Sequence, residues 1–205
     1  MPTRSRARTS TLLRKLAEGA GERIAIDELV GVLEDRAFGI LVLCLALPNA
    51  VPGPYIPGFS AIFALPIMWL GLQLALGFSY PRLPGLVRRR SFARARFLRF
   101  VNRATPLLSR IEAWLGPHPG WLTETRGHRV LGLVLVVFGF GLSLPVPLGN
   151  LPVAIGISIL ALGLIEEDSR ALRWGLLSGL LGCLWLLALV GFGVAVATRL
   201  SRYFG

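Results

Sequence analysis

The chain has 205 residues, 54% of them hydrophobic and 16% charged, and its net charge of +11 comes from arginine, with Lys15 the single lysine. An ordinary soluble domain is roughly 45–50% apolar and about 25% charged. Here no charged residue stands between Arg36 and Arg82, Arg129 and Glu166, or Arg173 and Arg199, gaps of 45, 36 and 25 residues; a membrane-crossing helix needs roughly 20, so lipid is the expected solvent and a nucleic-acid binder is excluded by arginines that flank apolar runs instead of forming a groove.

Residues 1–21 read as a basic tail with Arg4, Arg6, Arg8 and Arg14, lacking the early apolar core of a secretory signal. From about 11 to 35 the spacing predicts amphipathic helix broken near "EGAGE", with Ile26, Leu29, Val30 and Leu33 on one face of the second piece. The first charge-free gap cannot be one straight helix, because proline removes a backbone donor and clashes with the preceding turn. It divides into "AFGILVLCLALPNAV" (37–51), a turn rich in proline and glycine, and "FSAIFALPIMWLGLQLALGF" (59–78). The first arm reaches about 22 Å, short of a ~30 Å hydrocarbon core.

The central segment is basic. If 92–115 is helical, Phe97, Val101, Ala104, Leu108, Ile111 and Leu115 share one stripe, and Arg96, Arg99, Arg103 and Arg110 share another. With Arg88, Arg89 and Arg90 just before it, this reads as an interfacial helix kinked at Pro106, in which Arg88, Arg89, Arg90, Arg96, Arg99 and Arg103 touch anionic headgroups. Plain anchoring by positive flanks is the simpler reading, and Trp114 and Trp121 suit the interfacial belt. The second gap divides like the first, into 130–145, "VPLGN" and 151–165. The last, 174–198, is unbroken, and Gly175 and Gly179 in small-xxx-small spacing predict close helix packing.

The first two gaps look like one unit written twice. Each opens on an arginine with a glycine three residues later (Arg36/Gly39, Arg129/Gly132), runs into Leu-Pro (Leu47-Pro48, Leu144-Pro145), and ends in "LALG" (74–77, 160–163). An internal duplication is the preferred reading; the plainer one is that any two proline-turned hairpins in lipid look alike. Paired broken segments of this kind point to a site near the bilayer midplane.

Catalytic signals are poor. His118 and His128 have no carboxylate or thiol cluster beside them in the sequence, and Cys44 and Cys183 share no motif. For Glu166-Glu167-Asp168, a helix cap by Asp168 or Ser169 is a cheaper account than acid–base chemistry. What remains are uncharged polar groups and broken backbone at membrane depth, which lipid cannot satisfy, so protein or a water-filled cavity must cover them. The expected pocket comprises Pro48, Asn49, Pro52, Gly58, Ser60, Gln73, Pro145, Pro147 and Asn150.

Several of these motifs occur together and in order: Leu47, Pro48, Asn49, Pro52, Pro54 and Gly58; then Gln73, Gly77, Leu83 and Pro84; then Pro145, Pro147, Gly149 and Asn150. In this the chain resembles the ExoD-type exopolysaccharide-synthesis family of bacterial membrane proteins over roughly 22–195. "GFSYPRLP" departs from the family's usual arginine and tryptophan around that proline. The resemblance implies a multi-pass inner-membrane protein linked to exopolysaccharide production, and supplies no reaction, ligand or catalytic residue.

The expected fold is an all-α polytopic membrane protein: two Pro-broken hairpins, re-entrant or double-pass, forming an internal repeat, a basic interfacial helix and a final transmembrane helix. The divisions are 1–21 (tail), 22–198 (one membrane domain, comprising 22–81, 82–128, 129–168 and 169–198) and 199–205 (C-terminal tail). The expected role is transport-class or lipid- or glycan-lipid-handling, without cofactor or metal; the alternatives are an accessory or assembly protein of a polysaccharide machine and, less favoured, an enzyme on a lipid-linked substrate that would need Glu166 or Glu167. Expected partners are membrane lipids and anionic headgroups, with a homo-oligomer or polysaccharide-synthesis components as protein partners and no nucleic acid.

Overall fold

The computed structural model describes residues 36–50, 58–85, 118–146 and 149–204, together with 23–25, 91–93 and the positions 11, 31, 33, 98, 99, 102, 115 and 116. Among the described residues five helices carry the fold: α1 (Arg36–Ala50), α2 (Phe59–Ala75), α3 (Thr125–Ser143), α4 (Asn150–Glu166) and α5 (Ser169–Phe204). Two of them, α3 and α5, are long and apolar enough to cross a membrane. The others have 15, 17 and 17 residues, or about 22–26 Å of helix.

Helices pair across the hairpins more than within them: α1 lies along α4, α2 along α3, and α5 along the far side of α4. Glycine sets each contact. A Cβ on Gly39 would strike the Ala161 carbonyl and Ile165, and one on Gly132 would strike the Gly71 carbonyl and Ala75. Further along, Gly139 lies over Ala64 and Met68, so α2 and α3 are antiparallel. Gly175 lies on Leu160, and Gly182 on Pro152 and Val153, so α5 is antiparallel to α4. Between these contacts the core is apolar, built on Val42, Ile67, Leu135, Phe138, Ile157 and Leu172, all buried.

Both hairpins therefore turn at one end of the bundle, and Arg36, Arg82, Arg126, Arg129, Arg170 and Arg173 stand at the other. At the arginine end α2 closes in a Schellman motif, with Gly77 in the left-handed region at φ 86°. The Gly77 N–H donates to Leu74 O and the Phe78 N–H to Gln73 O.

The outside of the bundle is apolar. Ile62, Leu65, Trp69, Leu72 and Leu76 form an exposed stripe on α2, and Leu133, Val137 and Phe140 one on α3. A soluble monomer rarely shows a continuous patch of that kind. Beyond Leu186, α5 leaves the bundle: from 187 to 202 only Leu189 is even half-covered, and Gly191 and Gly193 face open space.

Two departures from the sequence expectation concern the short segments. Arg23–Ala25 and Ser91–Ala93 pair as antiparallel strands, Ile24 opposite Phe92, adding a small ribbon to a chain read as wholly helical. Of the helix expected over 92–115, residues 92 and 93 take a strand partner instead, and most of the remaining stretch lies outside the described residues. Leu98, Arg99 and Asn102 are helical.

Candidate functional site

Asn49 closes α1 and Asn150 opens α4, and both are buried at 8% and 9% exposure. Gly39 fixes the register of α1 on α4. Ten residues later, about 15 Å along the helix, Asn49 comes level with the first turn of α4. Asn49 Nδ2 and Asn150 Oδ1 have no hydrogen-bond partner, so one donor and one acceptor are left open at the same end of the same helix pair. A buried amide group without a partner costs about 1–3 kcal/mol.

Ser60, half-buried at the start of α2, and Gly58, at φ 81°, lie at this end too, as do the exposed Pro48 and Pro145. Ser143 and Ser158 are satisfied within their own helices, by Phe140 O at 2.7 Å and Ala154 O at 2.8 Å. Pro52 and Pro147 lie outside the described residues, as do Arg88, Arg89, Arg90, Arg96 and Arg103; Arg99 is exposed on its helical segment.

Gln73 does not join this group. It lies at the arginine end, 4% exposed. Its Oε1 accepts the Arg82 N–H at 2.6 Å and its Nε2 donates to Arg82 O at 3.1 Å. Gln73 thus locks the chain that leaves α2, helped by the Arg82 guanidinium 4.5 Å over the Phe78 ring. Gly175 and Gly179 sit in the α4–α5 seam, Gly179 against Gly156 and under the Phe138 ring.

The depth of the turn end can be read from α5. Leu186 packs on Gly149, one residue before Asn150. It stands thirteen residues after Arg173 and thirteen before Arg199, or about 20 Å from each. The two turns are level with the middle of the charge-free part of α5.

At the arginine end His118 meets a carboxylate after all. Its Nδ1 lies 2.7 Å from Gly116 O and 3.2 Å from Asp168 Oδ2. Asp168, 2% exposed, also caps α5, its Oδ1 accepting the Arg170 N–H at 2.7 Å and, more loosely, the Ala171 N–H at 3.4 Å. The Ser169 N–H donates to His118 O at 3.1 Å, pinning the loop to the cap. The cap role of Asp168 was legible in the sequence; its histidine, fifty residues earlier, was not. No group of three metal-ligating side chains occurs among the described residues.

Taken together, fold and site define a predominantly helical chain with two membrane-length apolar helices and a polar pair buried at the turn end of the bundle. The chain belongs to the family described as "Exopolysaccharide synthesis, ExoD", whose model matches residues 9–189. It is also similar to an uncharacterized protein of Synechocystis sp., 27% identical over 165 residues, covering 80% of this chain and 77% of the relative. No solved structure matches.

Proposed function

We propose that the chain is a multi-pass protein of the bacterial inner membrane that serves exopolysaccharide synthesis by holding or passing a small polar ligand, lipid headgroup or glycan-lipid, without itself catalysing a reaction. On this reading the two hairpins are a duplicated pair that re-enters the membrane from the cytoplasmic side, and Asn49 and Asn150 are the ligand's hydrogen-bonding partners at mid-depth. The observation that carries it is the level of Asn49 and Asn150, halfway between Arg173 and Arg199 along α5, with an open donor and an open acceptor. Broken backbone at that depth needs cover by protein or by a wet cavity. Arginines at the opposite end favour a cytoplasmic face there.

The test is exopolysaccharide output from cells carrying Asn49→Ala or Asn150→Ala, together with the thermal midpoint of each purified variant. Output is expected to fall at an unchanged midpoint; full output from both variants would end the pocket reading. A second reading, an accessory component of a polysaccharide machine, is favoured by the bare half of α5 beyond Leu186, which a partner helix could cover.

A further inference from the structure

A cavity of about 660 Å³ lies at the arginine end, away from the turns, walled by His118, Gly120, Trp121, Ser169, Arg170 and Arg173. Arg170 and Arg173 are three apart on α5 and so share a face. They also border a second hollow of about 380 Å³ that continues onto Trp174 and Leu177. Both arginines are exposed, and neither has a carboxylate partner among the described residues. Arg173 spends its Nε–H on Ser169 O at 3.2 Å, which fixes the guanidinium and leaves the terminal N–H groups open.

Asp168, the carboxylate next to them along the chain, is already engaged: it is buried and accepts from the Arg170 and Ala171 N–H groups and from His118. The first N–H groups of α5 are thereby used up, so an anion would be held by side chains and not by the helix end. His118 adds a third polar contact. Its Nδ1 faces two acceptors, Gly116 O and Asp168 Oδ2, and so carries the proton. Its Nε2 is left to accept from a P–OH group.

We propose that Arg170, Arg173 and His118 form a binding site for a phosphate-ester anion, separate from the turn pocket. Two guanidinium groups on one face present paired donors in the geometry that phosphate oxygens fit. The hollow beside Trp174 and Leu177 leads onto exposed Leu181 and Leu184 of α5, an apolar track on which the acyl chain of a phospholipid can lie while its phosphate occupies the cavity. The phosphate chemistry stands without the membrane reading above; only the lipid source depends on it.

The full chain in phosphatidylcholine nanodiscs is titrated with phosphatidic acid in one arm and with inorganic phosphate in the other, reading tryptophan fluorescence, since Trp121 and Trp174 border the two hollows. Arg170→Gln/Arg173→Gln is expected to weaken binding about tenfold or more while keeping its thermal midpoint in phosphatidylcholine alone. Arg170→Lys/Arg173→Lys retains part of the affinity and shows that the fold tolerates change there. Saturation by phosphatidic acid alone identifies a lipid headgroup, and saturation by inorganic phosphate a free ester or ion. Arg199→Gln/Arg202→Gln, at the other end of α5, leaves binding unchanged. If that pair weakens binding equally, the attraction is general charge and the proposal fails; it fails also if wild type binds neither probe, or if the glutamine pair binds like wild type.

Discussion

Asn49 and Gln73 are both uncharged polar residues in one charge-free stretch, and the fold uses them in opposite ways. Gln73 makes two hydrogen bonds to the backbone of Arg82 and is satisfied; Asn49 keeps an open donor. In the sequence they are indistinguishable, because the partner of Gln73 is a main-chain peptide nine residues on, and main chain carries no sequence signature. Gln73→Leu leaves the Arg82 peptide without partners and is expected to cost about 1–3 kcal/mol. Its thermal midpoint should fall, and protease should cut faster within 78–85. Exopolysaccharide output should drop only in proportion to the folded fraction; a selective loss of output in a stable Gln73→Leu protein would return this residue to the ligand site. The pairing of His118 with Asp168 was hidden for a related reason: two solitary residues fifty apart carry no spacing signal until the loop folds back on α5.

At the scale of the helices, close approach rather than amphipathicity sets the packing. Hydrophobic residues surround α1, α2 and α4 on nearly all sides, so periodicity says little about which face turns inward. The glycines say more. Gly39 meets Ala161 and Ile165 as Gly132 meets Gly71 and Ala75. If Gly39 and Gly132 are counterparts, then Ala75 answers to Ile165, one helical turn away from the register that matching the two "LALG" stretches implies. The helical arms were thus legible in the sequence, and the register between them was not, since "LALG" fits lipid-facing helix at any phase. Gly132→Val puts a branched side chain into the Gly71 and Ala75 backbone and is expected to destabilise by about 1–3 kcal/mol or more. Gly193→Val, which meets nothing, should leave the thermal midpoint where it is. Equal effects from the two substitutions would mean that α2 and α3 do not approach as described.

Across the whole molecule, the arginine end and the far end of α5 lie on opposite sides of the level set by the turns. With the arginine end cytoplasmic, Arg199 and Arg202 fall outside, against the usual bias. Two arginines there are outweighed by six at the other end of the bundle, before the basic segment is counted. A reporter fused after Gly205 is expected to signal from the non-cytoplasmic side, and one fused ahead of Met1 from the cytoplasm. Cysteines introduced at 58 and 60 should resist membrane-impermeant reagents from both faces unless a wet cavity reaches them. A cytoplasmic signal from the C-terminal fusion would place α5 along the membrane instead of across it.

The crosswise pairing of the helices also bears on how the protein comes to be made. α1 emerges first, but the helix it lies against, α4, is synthesised about a hundred residues later; α2 waits only for α3. The inner pair must therefore meet before the outer pair can close, and Gly39 spends the interval facing something other than Ala161. Contacts so distant along the chain form slowly, and the face of α1 that Gly39 marks waits for Asn150 and the helix behind it before it can close.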